Sequence, residues 1–315
     1  MKKLTSLLLI IALLLSLAAC GGSDSNTAGS PAASEPPAPD TAITVIDMLD
    51  REITLSQPAT RVVALTAADC EILYALGAGD TLVGRGEYCD WPVEVLDVPS
   101  VESGFEANIE QIISLQPQVL LMSSMAQTEE QVAALEKAGI HVVVSNADNI
   151  ADTYEAITMI GTLMGKDAEA EALVGEMKAT FADLQAKAAG DGSKSIYFEV
   201  SPLQWGLWAA GNNTFMDEIA QMLGVRNIFP EVNDWGEVSE EQVIQRVPDY
   251  IVTVTMYYGD GPTPEEEIAS RPGWENIPAV QNGAILNLQN NELSRPGPRL
   301  TEGAQMLYDF LYGEN

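Results

Sequence analysis

The sequence predicts an α/β protein of two Rossmann-like lobes with mostly parallel central sheets, joined by one long rigid α-helix, with a ligand cleft between the lobes. Two patterns that each occur twice, in the same order, carry this prediction. The motif Glu-Ile-x-x-x-Leu-Gly at 71–77 returns at 218–224, and Glu-Gln-Ile-Ile at 110–113 returns as Glu-Gln-Val-Ile at 241–244. Such long-range repetition is typical of two similar lobes rather than of a solenoid, and chance recurrence is the alternative. Two lobes imply a cleft, which is where ligands bind.

The first half of the chain alternates short apolar strands with helices after an opening β-hairpin. Gly77 can take the left-handed conformation after one helix, Pro117 ends another, and Thr128 with Gln131 forms a capping box before a third. This β-α-β-α order predicts a mostly parallel sheet covered by helices. The predicted elements are hairpin strands 43–47 and 51–55, strands 61–65, 82–84, 119–122 and 140–144, and helices 69–76, 108–115 and 128–138.

A single long helix is predicted at 167–189, between the two halves. Its apolar positions form one continuous face, and a helix of this length spans roughly 33 Å. Such a helix can bridge both lobes as a stiff strut; an ordinary surface helix at a domain edge is the alternative. The apolar positions are Leu173, Met177, Phe181, Leu184 and Ala188.

The second half repeats the alternation of strands and helices, which again predicts a parallel sheet. The predicted organisation is therefore an N-terminal lobe at 43–165, an interlobe helix at 166–190 and a C-terminal lobe at 191–315. The elements predicted for this second half are strands 196–200, 250–255 and 284–288, and helices 214–223, 240–246 and 300–311.

The N-terminus is typical of an exported lipoprotein. A basic start and the apolar run 7–17 precede Leu-Ala-Ala-Cys at 17–20, which resembles a bacterial lipobox with Cys20 as the lipidated residue. We expect residues 1–19 to be a signal peptide and 20–42, rich in Ser, Ala, Gly and Pro, to be a flexible tether. An uncleaved membrane anchor is the alternative. Either way, the protein is expected at the extracytoplasmic face of a bacterial membrane.

Composition excludes several kinds of partner. The formal net charge of −31 repels nucleic acid and anionic lipid head groups. Hydrophobic residues make up 46% of the chain, enough to supply a core, so the body of the chain is not expected to be disordered.

Cysteine and histidine usage predicts no metal site. Cys70 and Cys89 are expected to be reduced, partly buried thiols, although an exported compartment also permits a disulfide between them. A closed metal site needs three or four nitrogen or sulfur ligands. The only histidine, His141, lies in an apolar strand and is expected to be buried and structural.

The candidate ligand contacts are aromatic and other side chains in loops after the carboxyl ends of strands, where α/β folds bind ligands. Such residues suit a large, partly apolar ligand; packing beneath the lobes is the alternative for each of them. Arg85, Arg295 and Arg299 lie near the same loops and can pair with ligand carboxylates or catecholate oxygens, or form internal salt bridges. The ligand-binding candidates are Tyr88, Trp91, Met125, Trp205, Trp208, Trp235, Tyr257, Tyr258 and Arg295.

The sequence contains little that indicates catalysis. It has no Gly-x-Ser-x-Gly motif, no P-loop and no Gly-x-Gly-x-x-Gly after a strand. A binding protein is therefore predicted; an extracellular enzyme or adhesin on the same two-lobed scaffold is the alternative from another class, because paired carboxylates are available for glycoside hydrolysis.

Five motifs together resemble the cobalamin/ferric-siderophore-binding family, the solute receptors of ABC importers whose lobes are joined by a rigid helix. The resemblance covers roughly residues 43–312. It implies docking on an ABC permease dimer, with its ATPase, through one surface glutamate per lobe, and the matching positions are Glu110 and Glu241. The motifs lie at 65–77, 88–92, 108–112, 238–243 and 294–299.

The resemblance also orders the ligand classes. Tyr88 and Trp235 match positions of ring-contacting aromatics in corrinoid-binding members, and Tyr88, Tyr257 and Tyr258 are candidates for the iron ligand that haem-binding members offer. Zinc- and manganese-binding members need a histidine and carboxylate cluster that this chain lacks. We therefore expect a ferric siderophore, then haem, then a corrinoid as the captured ligand, with no cofactor of the protein's own and a monomeric receptor.

Overall fold

The computed structural model describes residues 42–103, 107–124, 128–289 and 291–313. The predicted signal peptide, the tether as far as residue 41, Cys20 and Met125 lie outside them. The chain builds two parallel-rich sheets, one from each half, so the predicted two-lobed α/β fold is confirmed. The lobe boundaries at 165/166 and 190/191 stay predictions.

The first sheet is entirely parallel and follows the predicted hairpin. Its strand order is β5-β4-β3-β6-β7. Because β3 and β6 are central, their residues are buried on both faces, which explains the unbroken apolar run at 119–122. The hairpin strands are β1 (Ile43–Ile46) and β2 (Glu52–Leu55); the sheet strands are β3 (Val62–Ala64), β4 (Leu82–Gly86), β5 (Ser100–Val101), β6 (Val119–Met122) and β7 (His141–Val144).

In the described part of the first half, four α-helices each begin at a polar cap. The predicted capping box is present: the Thr128 hydroxyl accepts from the Gln131 N–H, and the Gln131 side chain accepts from the Thr128 N–H. The helices are α1 (Ala67–Ala75), α2 (Ile109–Ser114), α3 (Glu129–Lys137) and α4 (Ile150–Leu163).

The predicted long helix is present as α5 (Asp167–Lys187), whose 21 residues span about 32 Å. Met177, Phe181 and Leu184 on its apolar face are buried. The helix packs against α4 and against α10 (Leu300–Tyr312), the last helix of the second half. It therefore contacts elements of both halves, as a strut does.

The second sheet is parallel at its centre and carries an antiparallel edge. Its order is β11-β9-β8-β12-β13, with β10 beside β8, and β9 and β11 run antiparallel. The sequence did not predict β9 and β11, because strands of three residues are too short to show a period. The strands are β8 (Ser195–Ser201), β9 (Trp208–Ala210), β10 (Arg226–Asn227), β11 (Trp235–Glu237), β12 (Tyr250–Thr253) and β13 (Ile285–Asn287). The helices before α10 are α6 (Phe215–Met222), α7 (Glu240–Arg246), α8 (Pro264–Ala269) and α9 (Pro278–Gln281).

The first repeated motif forms the same structure twice. Helices α1 and α6 each begin at a threonine whose hydroxyl accepts the N–H of an aspartate three residues later. Each is followed by a glycine with positive φ, +66° at Gly77 and +72° at Gly224, a conformation that favours glycine.

The second repeated motif also forms matching helices, α2 and α7. Asn108 and Ser239 cap their starts, and each side chain accepts the N–H of the glutamine three residues later. Beyond each helix a residue with positive φ precedes the repeated proline, at Gln116 (φ 50°) and Val247 (φ 44°). The repeats are thus equivalent in backbone conformation as well as in sequence.

Two expectations about single side chains need correction. His141 is exposed rather than buried, because it begins the edge strand β7. Cys70 and Cys89 are free thiols, as expected, but they are fully buried, and both sulfur atoms lie within 4 Å of the Ala64 carbonyl oxygen, at 3.7 and 3.9 Å. Within the described residues, no helix combines the length and apolarity that crossing a membrane requires.

Candidate functional site

One cavity lies between the two halves of the chain, with a volume of about 300 Å³. From the first half it is lined by residues that follow β3, β6 and β7, which is the carboxyl edge of the first sheet. From the second half it is lined by α6, β11 and the segment after β13. This is the position at which parallel α/β sheets bind ligands. The lining residues that matter below are Thr66, Ser123, Ser145, Asp148, Phe215, Trp235 and Arg295.

A second cavity of about 410 Å³ lies at the carboxyl edge of the second sheet. The segments after β8 and β12 form it, together with the start of α8. Tyr257, Tyr258 and Met256 lie on its wall, and the Tyr258 hydroxyl donates to the Met256 sulfur at 3.2 Å. The carboxyl edges of both sheets therefore supply concave, partly aromatic surfaces.

A buried ion cluster joins the two halves beside the first cavity. The Arg295 guanidinium, from the second half, donates to the Glu71 carboxylate of α1 at 3.0 Å and to Asp90 at 2.6 Å. Arg295 also donates to the Tyr88 carbonyl oxygen at 3.4 Å. The Arg295 and Glu71 side chains are only 7% and 2% exposed. Loss of either partner would leave the other buried charge with less compensation.

Arg299 extends this cluster toward the loop aromatics. Its guanidinium lies 3.6 Å from Glu71, donates to Glu302 at 3.3 Å and also pairs with Glu292. The same guanidinium stacks over the Trp91 ring, 4.4 Å from its centre. Trp91 is thus held by a residue of the other half.

A second set of contacts joins the halves around Asp148. The Trp235 indole N–H donates to the Asp148 carboxylate at 3.2 Å, and the Phe215 N–H donates to the Asp148 carbonyl at 2.9 Å. The Glu218 carboxylate accepts the Ile150 N–H at 2.8 Å. Glu218 is the repeat counterpart of Glu71, so both glutamates of the first motif bond to the opposite half.

Burial shifts the pKa of several carboxyl groups near the cavity. Burial raises the pKa of Glu71, while the hydrogen bond and charge of Arg295 oppose the shift. Burial likewise raises the pKa of Asp148, against the Trp235 hydrogen bond. The largest resolved shift among these groups is that of Asp69, in the first turn of α1: complete burial raises its pKa to about 6, against the smaller opposing effect of the Thr66 and Ser145 hydroxyls.

Asp69 should make the stability of the protein depend on pH. Its pKa of about 6 in the folded state lies above the ordinary 3.8, so its contribution to stability is complete below pH 3.8 and is lost as the pH rises through 6. At about 1.4 kcal/mol per pKa unit, Asp69→Asn should gain about 2 kcal/mol in unfolding free energy relative to the wild type between pH 4 and pH 7.5, because the unfolded aspartate is already partly ionised at pH 4. Urea unfolding of the variant and the wild type at both pH values measures this gain. If the stability difference between the two proteins is the same at both pH values, the prediction is wrong.

The predicted aromatic residues are placed in two ways. Tyr88, Trp205 and Tyr258 are strongly exposed, at 60%, 78% and 81%, which suits a site that is open to a ligand. Trp208 and Trp235 were expected in loops, but they begin strands β9 and β11. The loop prediction is wrong for both residues, because the sequence did not indicate the antiparallel strands β9 and β11. Trp235 is half-buried against Phe215, with ring centres 5.4 Å apart, and still lines the first cavity.

The three arginines singled out from the sequence all have internal partners. Arg295 and Arg299 form the cluster described above, which is the salt-bridge alternative. Arg85 lies in β4, donates to the Gly86 carbonyl at 3.1 Å and lines neither cavity. Within the described part of the chain, no group of three or more metal-ligating side chains is present.

Glu110 and Glu241 occupy identical positions in two matched helices. Each is the second residue of its helix, α2 or α7, and each is exposed. The Glu241 backbone N–H and the Ser239 side chain lower the pKa of Glu241. Among the described residues neither glutamate forms an ion pair, so both carboxylates are available to a partner.

Some residues of the site were not predicted. Glu71 and Glu218 lie in a repeated motif, which is a usable sequence signal. The motif does not indicate that each carboxylate accepts a hydrogen bond from the opposite half. Asp148 had no signal beyond its position after a strand. The pair of Arg271 with Glu199, with both side chains at most 2% exposed, lies beneath the second cavity, and nothing in the spacing of these residues indicated it.

Comparison with known proteins gives a consistent result. The family described as "Periplasmic binding protein" matches residues 62–292. The ABC transporter substrate-binding lipoprotein YvrC of Bacillus subtilis is 32% identical over 86% of this chain and 85% of its own. A "Vitamin B12-binding protein" of Vibrio cholerae is 26% identical over 81% of this chain and 90% of its own. A crystal structure from Staphylococcus epidermidis, titled as a possible iron-binding (periplasmic solute-binding) protein, has a TM-score of 0.68 and 30% identity over 81% of this chain and all of its own.

Proposed function

Because the chain belongs to the periplasmic binding protein family, and is a substrate-binding protein of the ABC transporter type within it, we propose that it captures an iron complex and delivers it to an ABC permease. The resemblance indicated by the sequence motifs is confirmed at the level of the family. The iron complex is proposed to be a ferric siderophore or haem. The relative with a solved structure titled as possibly iron-binding supports the iron assignment.

The cleft shared by both halves is the observation that carries this proposal. Its first cavity is lined by residues of both halves, and the exposed Tyr258 lines the second. The exposed Trp205 follows Gln204 of the second cavity's wall, and the Tyr88 carbonyl accepts from Arg295 of the first. Exposed rings cost free energy in water, and a large chelate would cover them. The matched relatives are named as binding proteins, which supports a receptor rather than an enzyme.

A corrinoid is the second candidate ligand. The Vibrio cholerae relative is named for vitamin B12, and Tyr88 and Trp235 match positions of ring-contacting aromatics in the resemblance described above. The two candidates share the same cleft and the same delivery step.

Delivery is proposed to use Glu110 and Glu241. Their equal positions in α2 and α7 would place one carboxylate on each lobe, facing arginines of the two permease subunits. Exposed charges of this kind orient a transient encounter. The ion cluster around Arg295 and the helix α5 both connect the halves, so ligand capture is expected to involve a small closure rather than a wide hinge.

The anchor is proposed to be a lipid on Cys20, with the body of the protein at the extracytoplasmic face of the membrane. The lipoprotein name of the Bacillus subtilis relative supports this assignment. The protein is proposed to act as a monomer.

Ligand binding should be detectable by quenching of tryptophan fluorescence. A ferric siderophore, haem and cyanocobalamin are titrated into the purified protein, and at least one should bind with a Kd below about 10 µM. Trp205→Ala should weaken that binding roughly tenfold, as expected for an exposed aromatic anchor. Ile46→Ala, at an exposed apolar residue on β1 that lines neither cavity, is the control and should leave the Kd unchanged. Absence of binding in all three titrations would overturn the proposed function.

A further inference from the structure

Resting on the proposed function, we propose that the cleft accepts a metal chelate without net negative charge, neutral or cationic, and rejects anionic chelates. The chemistry of the ligand would then be that of an uncharged or cationic ferric trihydroxamate or corrinoid. Tricatecholate iron complexes and haem, with its two carboxylates, would be poor ligands. The reason lies in the arrangement of charge around the two cavities.

Basic side chains are scarce around the two cavities. Of the fifteen lysines and arginines in the sequence, two are Lys2 and Lys3, and the other thirteen all lie in described residues. The undescribed internal segments 104–106, 125–127 and 290 contain no basic residue. Among the described residues that line the two cavities, Arg295 is the only basic one. Arg295 is therefore the one lining cation with which an anionic ligand could pair.

The second step is that this cation is already neutralised. Arg295 is 6% exposed and donates to Glu71, to Asp90 and to the Tyr88 carbonyl. A ligand anion could recruit it only by displacing these acceptors. Glu71, with a side chain 2% exposed, would then keep a buried negative charge next to that of the ligand. Arg299 and Arg271 line neither cavity, and both already pair with carboxylates.

The third step is the excess of carboxylates. Arg271 faces both Glu199 and Glu267 beneath the second cavity, so this group carries one more negative than positive charge. Asp148 meets an indole N–H rather than a cation, and Asp260 is exposed on the cavity wall. Where a bound ligand displaces water from the cavities, such charges act on it more strongly than they would in bulk solvent. They repel an anion and attract a cation.

The remaining surface suits a neutral or cationic chelate. Tyr258 on the wall of the second cavity and Trp205, which follows the wall residue Gln204, are both strongly exposed. Aromatic rings attract cations and can cover apolar chelate surfaces. The cavity walls also offer hydroxyl and amide groups for uncharged polar contacts, among them Thr66, Ser123, Ser145 and Asn146.

A panel of chelates that differ in charge tests this inference on the purified full-length protein. The probes are ferrioxamine B as a cationic trihydroxamate, ferrichrome as a neutral one, cyanocobalamin as a neutral corrinoid, and ferric enterobactin and haemin as anionic chelates. We expect one of the first three to bind at least about 100-fold more tightly than either anionic chelate. Tightest binding of ferric enterobactin or haemin would overturn the inference while leaving the proposed function intact. If none of the probes binds, the proposed function fails, and the inference fails with it.

A charge variant tests the cause of the selectivity. Asp260→Lys adds a cation to the cavity wall at an exposed position, so it should weaken binding of a cationic probe and strengthen binding of an anionic probe, each by about tenfold. If the preferred probe is neutral, only the affinity for the anionic probe should change. Glu171→Lys on α5 makes the same charge change at an exposed position that lines neither cavity, and it should leave all affinities unchanged. Equal effects of the two variants would overturn the inference.

Discussion

Uptake of the ligand by cells should fall to background when Glu110 and Glu241 are both changed to arginine, while the purified variant keeps the wild-type Kd. Both carboxylates are exposed, stand second in matched helices and have no ion-pair partner among the described residues. Opposing arginines of a permease would meet like charge on both lobes, and juxtaposed like charges suppress complex formation. Single reversals should reduce uptake in part. Uptake of labelled ligand by cells and titration of the purified variant measure the two quantities.

The control for this experiment reverses two glutamates elsewhere. Glu130 also stands second in a capped helix, α3, and Glu171 is an exposed glutamate of α5, so Glu130→Arg with Glu171→Arg makes the same change in net charge at exposed helical positions that line neither cavity. Cells carrying this control double variant should take up the ligand at the wild-type rate. Equal loss of uptake in both double variants would show that net charge, rather than docking through Glu110 and Glu241, governs transport. A parallel loss of ligand affinity in the Glu110/Glu241 variant would contradict the separation of capture from docking.

Arg295→Ala should lower the unfolding free energy by about 3–5 kcal/mol, the range found when one partner of a buried ion pair is removed. The guanidinium is the closest cation to Glu71, which lies in α1 with a side chain only 2% exposed. Without it, the Glu71 carboxylate would keep its burial cost and lose its nearest compensation. Urea unfolding at neutral pH, followed by tryptophan fluorescence, measures the loss.

Two further variants separate this effect from a general loss of surface charge. Lys194→Ala removes a cation whose side chain is 60% exposed in its pair with Asp249, and it should cost much less stability than Arg295→Ala because water screens an exposed pair. Glu71→Gln combined with Arg295→Met removes both charges and should recover most of the stability. If Arg295→Ala costs no more than Lys194→Ala, the cluster does not hold the halves together as described.

Much of the fold could be predicted because the signals are local. The Thr128 capping box, the apolar face of α5 and the unbroken apolar run of β6 each depend on neighbours within one or two turns or within one strand. The matched motifs added the information that two similar units follow each other. In the structure these motifs share caps, helix ends and residues of positive φ.

Other features could not be predicted because they depend on partners far away in the chain. β9 and β11 are strands only because they pair with each other and with β8. His141 has the sequence surroundings of a buried residue, yet its place at the start of an edge strand exposes it. The same limit applied to the arginines, for which ligand contact and internal pairing were equal alternatives.

The sequence alone was sufficient to predict the α/β class, the two repeated units and the long connecting helix, because cap chemistry and apolar periodicity act over a few residues. The family came from the resemblance of five motifs. Only the tertiary structure determines which charged side chains form ion pairs. Arg295 and Glu71 are separated by 224 residues and bond directly across the halves. Such a pair depends on the packing of whole sheets and helices, which no short stretch of sequence encodes. For the same reason, only the structure could indicate that the described residues lining the two cavities include no unpaired cation, which favours a chelate without negative charge.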